Sequence, residues 1–289
     1  MKKKLWKIPL PIAIVLGILL VTGIGFALNG YFGGGGKIPE DTFTRGLVGY
    51  WSMDESTGPL VFDGSGQGND GMINDGGQGN PVSYWTFDEG EGSTAYDWIG
   101  SNHGTLKNNP TWTSSGRIGG ALEFDGVDDY VQMPLVTSVT TNVTLSVWVY
   151  LSSNSLKGTF IHNGSGTTNG DGYSLGVGST DSDNNGNNLI GLLDSVAWMN
   201  FNVPIGTGWH FVVMTRDTST WRGYVDGVVS TTTYTNSPIT PTSGTYIARD
   251  CDNSPRFFNG LIAEVRIYNR ALTLQEILDH YIIGKEMFG

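Results

Sequence analysis

Residues 82–133 read VSYWTFDEGEGSTAYDWIGSNHGTLKNNPTWTSSGRIGGALEFDGVDDYVQM, and this stretch decides the fold. It opens with the aromatic run 84–87, and a second apolar run follows at 121–124. Side chains alternate between the two faces of a strand, so both runs are interpreted as strands. The Gly-rich segments between and after them carry five aspartates: Asp88, Asp97, Asp125, Asp128 and Asp129. Acidic loops at strand ends can hold a hard cation or a polar ligand where they meet.

The chain carries three motifs in order: YWTFDEGEGSTAYD (84–97), GGALEFDGVDDYV (119–131) and FNGLIAEVRIYNRALTLQEI (258–277). Together they resemble the laminin-G-like jelly-roll domain of the concanavalin A-like lectin/glucanase class, over about residues 82–283. The resemblance implies an all-β fold, a two-sheet antiparallel jelly-roll sandwich whose first and last strands are neighbours. It does not imply one function, because lectins, adhesion modules and glycosidases share this fold.

Composition agrees with many short strands joined by turns, since the 289 residues include 43 glycines and only 15% are charged. The net charge of −11 would repel the phosphates of a nucleic acid, so we expect no nucleic-acid partner. Cys251 is the single cysteine, which excludes an internal disulfide. We therefore expect a prokaryotic surface protein rather than a disulfide-rich secreted domain.

The N-terminal segment 1–28 is predicted to be a membrane anchor or a signal segment. Four lysines precede an apolar run, 8–28, that has no charged residue and is long enough to cross a bilayer, which needs ~20 residues. Gly25-Phe26-Ala27 also offers the small-residue pattern of a cleavage site. Lysines before the segment keep that end in the cytoplasm, so the rest of the chain faces outward. A Gly-rich linker, 29–45, follows.

Residues 46–81 form a partial repeat of the first strand and loop of the main domain, 82–289. The repeat is too short to bury a core of its own. We expect the strand 83–87, rather than its copy 48–53, to pair beside residues 263–270. The copy is then free to add at an edge of the same sandwich, to insert into a neighbouring molecule through 46–75, or to stay as a relic of duplication.

Local patterns predict two further elements near the C-terminus. Asp226-Gly227 separates two apolar runs and supplies the positive φ angles of a type I′ hairpin turn. Thr273 and Glu276 form a capping box, which starts one short helix with an apolar stripe at Ile277, Leu278 and Tyr281.

The resemblance suggests a structural calcium held by Asp88 and Asp125 where the first and last strands meet. The family often carries an aspartate in its last strand, at the position that Ala263 occupies here, so Glu264 or a carbonyl group would have to replace it. The alternative is that Asp88 and Asp125 cap turns through the backbone.

A second candidate metal site is Asp181-Ser182-Asp183-Asn184-Asn185-Gly186, which matches the first half of an EF-hand loop. Its ligands would be Asp181, Asp183 and Asn185. Leu192 replaces the glutamate expected at loop position twelve, so the alternative is a solvated hairpin tip.

The sequence predicts a binding protein and not an enzyme. No strand carries the alternating carboxylates of a laminarinase-type glycosidase, and the four histidines lack a catalytic motif. Exposed indoles can stack on sugar rings, and four tryptophans lie in or beside predicted loops: Trp98, Trp112, Trp198 and Trp221. We therefore expect a cell-surface, non-enzymatic adhesion module that recognises glycans or proteins. The alternatives are a structural subunit of a surface filament and a glycan hydrolase.

Overall fold

The computed structural model describes residues 60–61, 71–72, 80–154, 157–164, 170–178, 186–250 and 255–286. All of them belong to one compact unit, Val48–Gly289. The predicted anchor 1–28, the linker 29–45 and the strand copy 48–53 lie outside the described residues. None of the helices in the described ranges is long and apolar enough to cross a membrane.

The described residues contain eighteen strands and one helix. In chain order they are β1 (Leu60–Val61), β2 (Gly71–Met72), β3 (Ser83–Trp85), β4 (Thr94–Ala95), β5 (Gly104–Lys107), β6 (Thr111–Thr113), β7 (Ala121–Asp125), β8 (Tyr130–Met133), β9 (Val143–Leu151), β10 (Gly158–Asn163), β11 (Tyr173–Gly178), β12 (Asn188–Leu193), β13 (Ala197–Pro204), β14 (Gly208–Asp217), β15 (Thr220–Val225), β16 (Val228–Tyr234), β17 (Thr245–Ile247), β18 (Asn259–Tyr268) and α1 (Leu274–Glu286).

Two antiparallel sheets form a sandwich, which confirms the predicted fold class. The front sheet has the strand order β13-β12-β11-β10-β17-β8-β5-β4, and the back sheet has the order β16-β15-β14-β9-β18-β7-β6. Strand β3 joins the back sheet by pairing with β18, where Trp85 lies opposite Val265. The first strand of the domain therefore lies beside the last one, as the sequence predicted. Strands β1 and β2 pair with each other in a small separate sheet.

The main core fills the space between the two sheets. Alternation along β7 shows how the sequence produces it: Leu122 and Phe124 are buried in the core, while Glu123 and Asp125 are exposed. Trp85 is fully buried there, together with Phe160, Tyr173 and Trp221. Such apolar burial contributes ~25 cal/mol per Å² of surface removed from water.

Helix α1 covers a second apolar cluster on the outer face of the back sheet. Ile277 of the helix packs in this cluster with Trp148 and Phe211. The predicted capping box is present, because the Thr273 N–H donates to the Glu276 carboxylate (2.7 Å) and the Glu276 N–H donates to the Thr273 hydroxyl (3.3 Å). The predicted type I′ hairpin is also present, since both Asp226 and Gly227 have positive φ angles.

A bulge in β18 decides which of its side chains enter the core. The pairing with β9 jumps from Ala263 opposite Trp148 to Arg266 opposite Ser146, so β18 has one extra residue. Glu264 takes a φ of 56° at this point. Because the side-chain period is two, the extra residue changes the face of everything after it. Ile262 and Val265 both reach the main core, whereas Ala263 packs in the outer cluster.

Candidate functional site

An open groove of about 590 Å³ crosses the outer face of the front sheet. Its lining includes His103, Thr105, Lys107, Gln132, Ser243 and Tyr246. The volume falls within the range of small-molecule sites, which is ~300–1,000 Å³. The lining therefore offers hydroxyl, amide, amine and aromatic groups to a ligand of that size.

Strand register places three of these side chains in one row. Thr105 of β5 lies opposite Gln132 of β8, and Gln132 lies opposite Tyr246 of β17. Directly opposed residues have Cβ atoms ~4.5–5.5 Å apart, so neighbours in the row can contact one ligand together. The next residues along the strands, Val131 and Ile247, face the core and anchor the row.

His103 presents a hydrogen-bond donor to the groove. The backbone N–H of Asp97 donates to Nδ1 of His103 at 3.0 Å, so Nδ1 is the acceptor and Nε2 carries the proton of the neutral ring. Asp97 is itself buried and fixes this loop by accepting N–H bonds from Tyr84, Ile99, Gly100 and Asn102. Burial opposes its ionisation, but these donors outweigh that effect and lower the pKa of Asp97.

Three aromatic rings beside the groove surround the guanidinium of Arg249. The guanidinium of Arg249 lies 4.6 Å from the ring centre of Tyr130 and 5.5 Å from those of Tyr246 and Phe257. Its Nε donates to the carbonyl of Asp250. These contacts orient the ring of Tyr246, because cation–π attraction holds the guanidinium against its face.

Further along the front sheet, His162 pairs with Asp194 but is not accessible. The two side chains approach to 3.4 Å, and Ser174 of β11 lies opposite His162 of β10. His162 is completely buried, which lowers its pKa to about 4 and keeps it neutral at pH 7. A buried neutral ring of this kind serves packing.

The structure does not bring the predicted calcium ligands Asp88 and Asp125 together. Asp88 accepts a hydrogen bond from the Gly120 N–H at the start of β7, whereas Asp125 is the last residue of β7. At ~3.3 Å per residue the two positions are about 16 Å apart. The predicted site shared by these two carboxylates is therefore wrong. Nor does Glu264 replace the missing family aspartate, because it is buried against Tyr84 and Arg266.

Asp125 instead belongs to a cluster with Asp128 and Asp129. One carboxylate oxygen from each lies within 4.8 Å of the others. Asp125 also caps its own turn by accepting the N–H groups of Val127 (2.8 Å) and Asp128 (3.3 Å), which confirms the turn alternative for this residue. Those bonds use one oxygen and lower the pKa of Asp125, with the Val127 donor as the largest cause.

Asp129 is the residue of this cluster that fits a cation. Its side chain is only 6% exposed, and its Oδ1 has no hydrogen-bond partner in the described part of the chain. Burial raises the pKa of Asp129, and the charges of Asp125 and Asp128 raise it further. Three carboxylates around a buried free oxygen form a donor set that suits calcium. The second predicted site, Asp181, Asp183 and Asn185, lies outside the described residues.

The profile of the concanavalin A-like lectin/glucanases superfamily matches residues 125–278, more than half of the chain. The chain belongs to this superfamily. No curated protein matches the sequence.

Solved structures with a similar sandwich include those of three different proteins. Domain 4 of AbnA, a GH43 extracellular arabinanase from Geobacillus stearothermophilus in complex with arabinotriose, is 22% identical with a TM-score of 0.55, over 69% of this chain and 97% of that one. Trypanosoma rangeli sialidase in complex with sialic acid is 18% identical with a TM-score of 0.51, over 72% of this chain. The binding domain of botulinum neurotoxin serotype D is 13% identical with a TM-score of 0.51, over 70% of this chain.

This chain spans a third of the sialidase and half of the botulinum domain. At these identities the likenesses show the fold that superfamily members share, and no more.

The residues that line the groove do not include any of the four tryptophans named from the sequence. Trp98 is 63% exposed, whereas Trp221, the second residue of β15, is fully buried and has no surface on which a sugar could stack. Trp198 is half-buried, with the Arg256 guanidinium 3.7 Å from its ring centre. Tyr246 and its row were not predicted from the sequence. A signal was present in the polar alternation of GTLK (104–107) and YVQM (130–133), but it does not reveal which strands pair.

Proposed function

We propose that this superfamily member is a non-enzymatic surface module that binds a glycan in the front-sheet groove. The observation that carries the proposal is the row of Thr105, Gln132 and Tyr246. Its hydroxyl and amide groups can exchange hydrogen bonds with sugar hydroxyls, and the Tyr246 ring gives an apolar surface on which a sugar ring can stack. Arg249 holds that ring in place, so the site is ordered before a ligand arrives.

Two of the similar structures support the choice of ligand class. The arabinanase domain was solved with arabinotriose and the sialidase with sialic acid, so both proteins bind sugars on chains that include this sandwich. The binding domain of the neurotoxin supports a role in attachment. These properties belong to those proteins, and we extend them to this chain as part of the proposal.

The lining of the groove favours binding over hydrolysis. Glycosidases place two carboxylates on either side of the scissile bond, ~5–5.5 Å or ~6.5–9.5 Å apart. The residues that line this groove include no Asp and no Glu. A glycan held there would meet donors and an aromatic ring, but no acid to protonate its leaving group.

Calcium is the cofactor that we propose, at the cluster of Asp125, Asp128 and Asp129. The ion would neutralise three neighbouring carboxylates and satisfy the buried Oδ1 of Asp129.

We further propose that residues 1–28 attach the chain to a membrane with the sandwich outside. Membrane fractionation of the producing cell tests this, and recovery of the chain only from the medium would contradict it. Self-association through 46–75 stays a prediction.

A glycan array with the full-length chain in detergent tests the proposed function. We expect binding to at least one glycan, a loss of at least tenfold in affinity for Tyr246→Ala, and retention in Tyr246→Phe, which keeps the ring. Tyr150→Ala is the matched control, since Tyr150 is a partly exposed tyrosine of the back sheet. Absence of any bound glycan, or equal binding by the Tyr246→Ala variant, would overturn the proposal.

A further inference from the structure

We infer that the groove selects anionic saccharides, that is, sugars that carry a carboxylate or a sulfate group. This inference rests on the proposed glycan site and specifies its ligand class. The observation behind it is a contrast of charge. The chain has 27 acidic residues against 16 basic ones, yet the groove lining contains Lys107 and His103 and no carboxylate.

Lys107 is the cation of the groove that would bind an anionic group. It lies on β5 two residues after Thr105, so both side chains face the groove, and its cross-strand neighbour is the phenol of Tyr130. It is half-buried and forms no salt bridge with the described residues. An ammonium group without a counterion beside a groove attracts an anion, and partial burial strengthens that attraction by excluding water.

Neighbouring side chains add hydrogen-bond donors, and the residues that line the groove include no carboxylate that would repel an anion. Nε2 of His103 is a donor because Nδ1 already accepts the Asp97 N–H. The Gln132 amide and the Tyr246 hydroxyl lie in the same row. Charge-assisted hydrogen bonds from such donors to a carboxylate or sulfate are roughly twice as strong as neutral ones.

Two further charged features flank this site. On one side the Arg249 guanidinium lies against the ring of Tyr246 and makes the adjacent wall positive. At the start of β8, beside Lys107, the turn with Asp125, Asp128 and Asp129 precedes Tyr130 and is negative. These carboxylates do not line the groove. An anionic group should therefore sit between Lys107 and His103, and calcium on the turn would reduce the repulsion from that end.

The test compares matched pairs of glycans on an array and in titration calorimetry, at two salt concentrations. One set pairs uronate oligosaccharides with their methyl esters, a second pairs sialylated with desialylated chains, and a third pairs sulfated with unsulfated chains. We expect the wild-type chain to bind the anionic member of a pair about tenfold more tightly, and we expect salt to reduce that preference because it screens exposed charges. The three sets tell carboxylate from sulfate.

Variants decide whether the groove is responsible. Lys107→Gln should bind both members of a pair with nearly equal affinity, while Lys157→Gln, which changes an exposed lysine before β10, should behave as the wild type. Equal wild-type binding of both members, or an anionic preference that persists in Lys107→Gln, would overturn the inference and leave the glycan site standing. Failure of every glycan to bind would overturn the proposed function itself, and this inference with it.

Discussion

Tyr84 donates a hydrogen bond of 2.6 Å to the carboxylate of Glu264, which lies 180 residues later in the chain. The same carboxylate forms an ion pair of 2.5 Å with Arg266, whose guanidinium lies 4.1 Å from the centre of the Tyr84 ring. All three side chains are buried, and they join the first strand of the sandwich to the last. Breaking a buried pair is costly because it leaves an uncompensated charge in the interior.

We expect Glu264→Gln to destabilise the fold by about 3–5 kcal/mol, since Arg266 would lose its buried counterion. Tyr84→Phe removes only the hydrogen bond to the charged group and should cost about 1.5–3 kcal/mol. Urea unfolding monitored by fluorescence measures both values. The control is Glu123→Gln on the exposed face of β7, which should change stability by no more than ~0.5 kcal/mol. A Glu264→Gln variant as stable as this control would contradict the role given to the ion pair.

Calcium should stabilise the fold through the turn 125–129. At ~100 times the dissociation constant, linkage predicts about 2.7 kcal/mol of stabilisation, visible as a rise in Tm between EDTA and millimolar calcium. Asp129→Asn and Asp128→Asn should remove most of that rise. Asp88→Asn should keep it, because Asp88 lies at the other end of β7. A Tm that calcium leaves unchanged in the wild type would refute the site, and a rise lost in Asp88→Asn would restore the original pairing.

Gly284→Ala should destabilise the chain although Ala is the better helix former. In an open helix position the change would stabilise by up to ~1 kcal/mol. Here a Cβ on Gly284 would lie 2.4 Å from the ring of Trp148, so helix α1 would have to move off the sheet. We expect a loss of about 1–3 kcal/mol, measured by thermal and urea unfolding. A stabilised variant would show that α1 does not pack closely on Trp148.

Stability should depend on pH through His210. Its Nδ1 lies 2.7 Å from the Asp226 carboxylate, and this hydrogen bond raises the pKa of His210 in the folded state. A histidine whose pKa is raised in the folded state contributes its full stabilisation of the fold below its unfolded pKa of ~6.5. This contribution is lost as the pH rises through the folded pKa.

The wild type should therefore exceed His210→Gln in stability by more at pH 5.5 than at pH 8. Urea unfolding of both proteins at the two pH values measures the difference, which cancels the titration of all other groups that do not couple to His210. A stability difference that is the same at both pH values would contradict the pairing with Asp226.

Local patterns in the sequence determined the elements whose geometry depends on near neighbours. The Asp226-Gly227 turn follows from the two residues themselves, because few other pairs tolerate positive φ at both positions. The start of α1 follows from Thr273 and Glu276, which satisfy each other's backbone N–H groups. The three ordered motifs determined the sandwich and the pairing of the first strand with the last, because they match a known arrangement as a set.

Tertiary structure decided the rest, for reasons that no local pattern contains. Counted back from the core residues Val265 and Ile267, strict alternation along β18 would put Leu261 and Ala263 in the core, but the bulge at Glu264 puts Ile262 there instead. Asp88 and Asp125 both lie in acidic loops that follow a strand, which suggested that they meet, but the length of β7 separates them. The groove exists because β17 pairs between β10 and β8, which brings Tyr246 next to Gln132 from more than a hundred residues away. Such long-range pairing depends on the summed packing of many distant residues, and this pairing forms the candidate site.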